Sequence, residues 1–474
     1  MHLAKAKFGY WINSLWNVGS TVSASGISFL FTLTFMHGLG FRTYGAYVYT
    51  QSFVQLSMLP LTAIWSGVTN LIISDGYSSR GIAKPMLYFV TIYSVLVSLI
   101  YESVTGFHWV YLFIMVLYAC GLYFVSALQM LLNAEGRFRV SGIIQLFVAI
   151  GQFGGLLFVL FVAHRSTGIV LMLMGFVTLS MGIAGSIFAG ASSYWSGQIN
   201  IKEYLLRSVR VTSAYFWVNL SDALMFSGSR LLFGHTFNLG SLAVYDLAMR
   251  FVTLTRMLVV SAFGTLLPYL SMIQRTSNRD TILRIYRGLC ALATSGSSLV
   301  FSLLVFLGPW IRNTIISSNV ALDDWMSLLI VLAIGISFHT TTVVQSSMML
   351  SKGNTTGIYA MEITSLSIFV LVYLFLKHTD PKIAVAAAVG VAMGLSSIVY
   401  SFVVDRKVGV KPIRNIMLML ATHVGIILYI LSRLTNDQWG ILSYWGLSAV
   451  LLYVLIVIFA GLSGATIMQR KVPV

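Results

Sequence analysis

Long apolar runs recur along nearly the whole sequence and leave little room for a soluble domain. Of the 474 residues, 58% are hydrophobic and only 9% are charged, and the mean hydropathy is +0.88. Soluble domains carry about 25% charged residues. In a membrane, about 20 consecutive apolar residues cross the hydrocarbon core as an α-helix. The sequence therefore predicts an all-α polytopic membrane protein.

The length criterion predicts about 14 transmembrane helices. Lys5 and Lys7 precede the first apolar run, but no short apolar core with a small-residue cleavage site follows them, so we expect an uncleaved first span. An even number of spans places both termini on the same side. The predicted cores are residues 12–36, 44–66, 86–101, 108–131, 142–163, 168–190, 212–233, 242–270, 289–309, 326–350, 357–376, 383–404, 415–432 and 441–463.

Lysine and arginine are distributed unequally between the two sets of predicted loops. With the N-terminus inside, roughly twenty fall in cytoplasmic segments and roughly six on the opposite side, which predicts that both termini are cytoplasmic. The net charge of +16 then reflects this bias, and we expect no nucleic-acid partner. The two cysteines, Cys120 and Cys290, lie inside apolar runs and indicate no metal site.

Two halves are predicted from the segment at residues 192–211. It mixes aromatic and aliphatic residues with Lys202, Arg207 and Arg210, a pattern typical of an amphipathic helix on the inner membrane surface. The predicted organisation is an N-lobe at residues 1–200 with spans one to six, and a C-lobe at residues 201–405 that begins with this linker. Residues 406–474 add spans thirteen and fourteen. Short similar sequences six spans apart suggest halves related by an axis along the membrane normal.

Charged residues inside the predicted seventh and eighth spans, at residues 216–268, are the most unusual feature. A charge at mid-bilayer costs at least about 2.5–3.5 kcal/mol, so such residues normally face a bundle interior or a water-filled cavity. Five of them within 35 residues predict a polar chamber. They are Asp222, Arg230, Asp246, Arg250 and Arg256.

Helical geometry places the charges of the eighth span on one face. At 100° per residue, Arg250 lies about 40° from Asp246 and Arg256 about 80° on the other side. Asp246 and Arg250 can pair, and on a regular helix Asp222 and Arg230 share a broad face. Three arginines against two aspartates leave a positive excess, which favours an anionic, phosphate-bearing substrate. The alternative is that the charges form internal ion pairs, with the Arg230 side chain extending to the outer surface of the same membrane.

Other polar residues offer weaker candidates. Asn13 and Asn17 lie on a polar stripe of the first span, and either line the cavity or pack against other helices. His339 in the tenth span is a candidate proton carrier, with a structural histidine as the alternative. Glu362 is a candidate proton site or a partner for Lys352, and Asp222 is a further candidate for ion coupling. Pro60 and Pro268 predict kinks.

The motifs of ATP hydrolysis and metal-dependent catalysis are missing from the sequence. We therefore expect no enzyme activity, no cofactor and no primary pump. Transport would be driven by an ion gradient, by the substrate's own gradient or by a partner protein.

Three segments of the sequence carry a family resemblance: MHGLGFRTYGAYVYTQSF, LLNAEGRFRV and SGSRLLFGHTFNLGSLAVYDLAMRFV. They resemble bacterial polysaccharide repeat-unit flippases of the Wzx type, in the multidrug/oligosaccharidyl-lipid/polysaccharide (MOP) exporter superfamily. The resemblance implies a MATE-like fold of two six-helix lobes around a central cavity, with the pyrophosphate bound by cavity arginines, here Arg230, Arg250 and Arg256. The predicted number of fourteen spans is also similar to that of the lipid II flippases, whose last two helices form a lipid groove. Asp222, Asp246 and Glu362 depart from a purely cationic cavity.

The function expected from this resemblance is the flipping of an undecaprenyl-pyrophosphate-linked oligosaccharide, an O-antigen or other surface-polysaccharide repeat unit. It would move from the cytoplasmic to the periplasmic leaflet of the bacterial inner membrane by alternating access. Expected partners are this lipid-linked substrate, membrane lipids, a polysaccharide polymerase and a chain-length regulator. The alternative is a cation-coupled multidrug exporter of the same superfamily. A membrane glycosyltransferase or polymerase is disfavoured, because the longest predicted external loop, residues 308–325, is short.

Overall fold

The computed structural model describes residues 2–75, 81–106, 108–161, 166–188, 195–196, 206, 212, 216–217, 219–263, 270, 278–315, 322–351, 356–378, 381–411 and 423. Within these ranges the regular structure is helical and contains no β-strand. The prediction of an all-α membrane protein is therefore confirmed.

The helices are numbered in chain order, and the numbers count helical segments rather than membrane crossings. They are α1 (His2–Leu39), α2 (Phe41–Ser57), α3 (Leu59–Asp75), α4 (Ala83–Thr105), α5 (Trp109–Ala134), α6 (Phe138–Phe161), α7 (Thr167–Phe188), a π-helical segment (Leu224–Gly228), α8 (Ser229–Thr236), α9 (Leu239–Phe263), α10 (Arg279–Ile315), α11 (Leu322–Thr341), α12 (Val343–Ser351), α13 (Thr356–Leu376) and α14 (Pro381–Val408).

The first twelve predicted spans coincide with helices wherever their residues are described. Eight helices in the described part of the chain are long and apolar enough to cross a membrane. The count of 14 stays a prediction. Residues 415–432 and 441–463 lie outside the described residues, except for His423, whose ring stacks on Phe338 with centroids 4.0 Å apart.

Two predicted spans are interrupted. The second span divides into α2 and α3 at Met58, two residues before Pro60, because proline has no N–H to continue the hydrogen-bond ladder. The tenth divides into α11 and α12 at Thr342, whose N–H donates to the carbonyl of His339 over 3.1 Å. Pro268 lies outside the described residues, as does the predicted amphipathic linker apart from Trp195, Ser196 and Leu206.

Two boundaries differ from the predicted ones. Helix α10 continues to Ile315, beyond the predicted core that ends at residue 309, so part of the expected external loop is helical. Helix α4 spans 23 residues, more than its short apolar core indicates. Hydropathy reports where a helix is apolar, whereas the backbone hydrogen bonds continue into the polar residues on either side.

The chain divides into two compact units, Trp11–Leu247 and Ala248–Val474 with Met1–Tyr10. In the first unit, α5 packs against α7, and a Cβ at Gly175 would lie 2.6 Å from the amide nitrogen of Tyr118. In the second, α11 packs against α14, and a Cβ at Gly335 would lie 1.9 Å from the carbonyl oxygen of Gly390. Such close approach of backbones at small residues is typical of helix packing in membranes. The division into lobes at residues 200/201 stays a prediction.

Candidate functional site

Arg230 and Asp246 form an ion pair inside the unit Trp11–Leu247. The Arg230 Nε lies 2.6 Å from the Asp246 Oδ1, and the two side chains are 11% and 1% exposed. The hydroxyl of Tyr44 donates a hydrogen bond to the Asp246 Oδ2. The carboxylate is thus paired with a guanidinium from one helix and accepts a hydrogen bond from a hydroxyl of another, which satisfies the requirement that a buried charge be paired and hydrogen-bonded.

A π-helical segment, Leu224–Gly228, lies between Asp222 and Arg230. Its i→i+5 hydrogen bonds take up about one extra residue and shift the helical phase by roughly 100°, so the regular-helix angle between these two charges does not apply. The guanidinium of Arg230 donates to the carbonyl of Phe226 within this segment over 3.2 Å. The π-turn therefore supplies a second acceptor that orients the arginine.

Close packing around the pair fixes its geometry. A Cβ at Gly45 would lie 1.8 Å from the carbonyl oxygen of Leu239, so only glycine allows α2 to approach the start of α9 this closely. The Tyr245 hydroxyl donates to the Ser229 Oγ over 3.0 Å, and the Tyr245 ring stacks on Phe233 with centroids 4.6 Å apart. The ion pair is consequently held by rigid helices and not by a loop.

The other candidate residues near the pair in sequence are distributed over both units. Asp222 is half-buried and belongs to the same unit as the ion pair. Arg250 and Arg256 lie further along α9, are also half-buried and belong to the second unit. Asn13 and Asn17 are within α1, but their side chains lie outside the described residues.

The second unit buries a further set of polar side chains. His339 is buried at the end of α11, and its Nδ1 lies 3.4 Å from the Ser397 Oγ of α14. The Gln345 side-chain amide of α12 donates to the Ser401 Oγ of α14 over 3.4 Å. Glu362 of α13 is buried as well. Lys352, its predicted alternative partner, lies outside the described residues.

Two polar contacts were not predicted from the sequence. The first is the hydrogen bond from Tyr44 to Asp246. The second is at Asp405 near the end of α14, which is fully buried and accepts a hydrogen bond of 2.6 Å from the hydroxyl of Tyr286 in α10. An acid at the end of an apolar run is the only signal of Asp405 in the sequence. Its burial depends on contacts more than a hundred residues apart along the chain, which periodicity does not report.

Comparisons with known proteins find the fold and little sequence similarity. No protein-family model and no curated protein sequence matches the chain. A mutant of the Vibrio cholerae MATE transporter VcmN superposes with a TM-score of 0.64 at 13% identity, over 86% of this chain and 98% of that one. A MOP superfamily transporter from Pyrococcus furiosus superposes with a TM-score of 0.64 at 12% identity, over 84% of this chain and 95% of that one.

A third structure, the outward-facing form of a multidrug resistance MATE family transporter, gives the same TM-score of 0.64 at 14% identity, over 84% of this chain. These superpositions cover nearly all of each neighbour, so the likeness extends over a complete transporter and not a fragment. The chain is a multi-pass membrane protein with the fold of the MATE transporters of the MOP superfamily.

Proposed function

We propose that the protein is a transporter that flips an undecaprenyl-pyrophosphate-linked oligosaccharide from the cytoplasmic to the periplasmic leaflet of a bacterial inner membrane. The proposed cargo is an O-antigen or another surface-polysaccharide repeat unit. The observation that carries the proposal is the positive excess on the seventh and eighth predicted spans, three arginines against two aspartates. The fold supports transport in general, and the arginines support this substrate.

The ion pair sharpens which arginines bind the substrate. Arg230 and Asp246 neutralise one another, so their pair adds no net charge to α9. Arg250 and Arg256 together exceed the single remaining acid, Asp222, by one charge. Guanidinium groups match phosphate oxygens with two parallel hydrogen bonds, so these two arginines are the proposed pyrophosphate ligands. Arg230 is assigned mainly to holding α9 in place.

Alternating access would proceed by rocking of the two predicted lobes, residues 1–200 and 201–405, with residues 406–474 as additional spans. Both termini would face the cytoplasm. The polysaccharide polymerase and the chain-length regulator remain proposed partners, because they act on the product at the periplasmic side. Among the fold's neighbours, the Pyrococcus furiosus transporter is described as having a binding pocket of reverse polarity that suggests a different function. Pocket charge is therefore a reasonable guide to substrate class within this fold.

The test is complementation of a strain that lacks its own repeat-unit flippase, with surface polysaccharide as the readout. We expect Arg250→Gln and Arg256→Gln each to reduce complementation about tenfold or more, since a hydrogen bond to a charged group contributes about 1.5–3 kcal/mol. Arg284→Gln, at an exposed position of α10, is the matched control and should complement fully. Full complementation by both arginine variants, at equal expression, would contradict the binding role assigned to them, and failure of the wild type to complement would contradict the proposed function.

The alternative is a cation-coupled multidrug exporter, and two observations favour it. One neighbour is a multidrug resistance MATE transporter, and Glu362, a candidate for ion coupling, is a buried carboxylate. This function predicts resistance to cationic drugs on expression, lost in Asp222→Asn or Glu362→Gln. Drug resistance on expression, without complementation of the flippase-deficient strain, would favour the exporter over the flippase.

A further inference from the structure

A cleft of about 320 Å³ opens between α1 and α6, and none of its lining residues belongs to α8 or α9. From α1 it is lined by Trp16, Gly19, Ser20 and Ser23, and from α6 by Gly142, Ile143 and Leu146. The α1 residues follow the spacing i, i+3, i+4, i+7, which places them on one face of that helix. We name this feature the α1–α6 cleft.

Small residues set the depth of the α1–α6 cleft. A Cβ at Gly142 would lie 2.4 Å from the Ser20 Oγ, so the two helices touch at this point and form the floor. A Cβ at Gly19 would meet no atom within 4 Å, so the space above Gly19 is open. The cleft is thus a single groove between two helices, with a serine hydroxyl on its wall at Ser23.

A cation lies at the mouth of the cleft. Arg139 is three residues before Gly142, on the same face of α6, and its guanidinium carbon lies 5.7 Å from the centroid of the Trp16 ring. Trp16 itself is 45% exposed. Arg139 makes no ion pair with any residue in the described ranges, whereas the neighbouring Arg137 lies 3.9 Å from the Glu135 carboxylate. The stacked guanidinium therefore offers its charge and N–H donors to a ligand.

We propose that the α1–α6 cleft is a loading site for the lipid-linked substrate, with the pyrophosphate on Arg139 and the first part of the polyprenyl chain in the groove. This inference rests on the proposed function. A single groove suits one chain, whereas an ordinary phospholipid brings two. Arg139, at the start of α6, belongs to a segment predicted to be cytoplasmic, and tryptophan and arginine are typical of the membrane interface. The site therefore faces the leaflet from which the substrate would be taken.

The test measures saturable binding of radiolabelled undecaprenyl pyrophosphate to the full-length protein in phosphatidylcholine nanodiscs. Gly19→Leu adds an apolar side chain to the groove at a position where a Cβ meets no atom within 4 Å, and Arg139→Gln removes the cation. Gly154→Leu is the matched control for the first, because Gly154 is also on a helix, also meets no atom within 4 Å and lies outside the cleft lining. Arg137→Gln is the matched control for the second.

We expect Arg139→Gln to bind the probe about tenfold or more weakly, since one hydrogen bond to a charged group is worth at least a factor of ten. Gly19→Leu should also weaken binding, because its side chain takes up space that the polyprenyl chain would occupy. Both controls should bind within twofold of the wild type. Wild-type affinity in both Gly19→Leu and Arg139→Gln overturns the inference. Equal competition by phosphatidylglycerol also overturns it, because the cleft would then accept any anionic phospholipid.

The inference and the proposed function can fail separately. Unchanged probe binding in the cleft variants, combined with lost complementation in Arg250→Gln and Arg256→Gln, removes the loading site alone. Absence of saturable binding to the wild type overturns both. Weakened binding in Gly19→Leu, combined with full complementation by the two arginine variants, supports the cleft and overturns the roles assigned to those arginines.

Discussion

Replacing Asp246 by asparagine removes the charge that Arg230 and Tyr44 both contact. At about 4 Å between charges and an effective dielectric constant of about 20, an ion pair contributes about 4 kcal/mol. Removing one partner of a buried pair costs about 3–5 kcal/mol, because the other charge is left uncompensated. Asp246 is 1% and Arg230 11% exposed, so water can solvate the remaining charge only slightly. We expect Asp246→Asn to lower the free energy of unfolding by about 3–5 kcal/mol.

The assay is a double-mutant cycle of Asp246→Asn and Arg230→Gln, measured by SDS-induced unfolding in mixed micelles. The ten tryptophans of the chain provide the fluorescence signal. The double variant should cost less than the sum of the single variants, since neither charge remains. Tyr44→Phe removes only a hydrogen bond and should cost roughly 0.6–1.7 kcal/mol, which are the average and the maximum found for hydrogen bonds between membrane helices.

Glu135 and Arg137 supply the matched control. Their side chains are 3.9 Å apart and 20% and 32% exposed, so the same cycle of Glu135→Gln and Arg137→Gln should give a coupling energy below about 1 kcal/mol. A coupling energy between Arg230 and Asp246 as small as that of this control pair would refute the reasoning, because it would show that water screens the buried pair.

Three further predictions follow from packing and burial. Gly45→Ala should destabilise the protein by about 1–3 kcal/mol, as overpacking does, whereas Gly154→Ala, with open space around it, should not destabilise it. Tyr286→Phe removes the hydroxyl that donates to the buried Asp405 carboxylate and should cost about 1–3 kcal/mol, compared with almost nothing for the exposed Tyr88→Phe; equal unfolding midpoints would count against this contact. Cys290 is buried and should react with maleimide only after denaturation, which mass spectrometry of native and unfolded samples detects.

The fold was largely predictable because membrane insertion imposes a single strong rule. Every backbone group must be satisfied inside the bilayer, so apolar runs of sufficient length become helices. The helices that coincide with the first twelve predicted spans follow from this rule alone. The interruption beside Pro60 was also predictable, since proline removes a donor. The interruption at Thr342 was not, because threonine alone does not end a helix.

The candidate site was predictable only in part. Hydropathy singles out Arg230 and Asp246 because charges are costly in an apolar run. Hydropathy does not identify the residue with which each charge pairs, and the regular helical angle favours Arg250 as the partner of Asp246. The observed partner of Asp246 is Arg230, whose position depends on a π-helical segment that the sequence does not predict. Tyr44 reaches the same carboxylate from about two hundred residues away, over a glycine contact that only the folded chain creates.

Helix α9 carries two kinds of charge whose roles can be separated. Protonation of Asp246 would remove the charge that Arg230 and Tyr44 both contact, so this carboxylate is poorly suited to cycling with a coupling cation. Asp222, His339 and Glu362 then remain the candidates for ion coupling. Asp246 variants should therefore reduce transport only in proportion to lost stability, whereas Arg250 and Arg256 variants should reduce it at unchanged stability. A stable Asp246 variant without transport would show that this carboxylate acts on the substrate or the coupling ion directly.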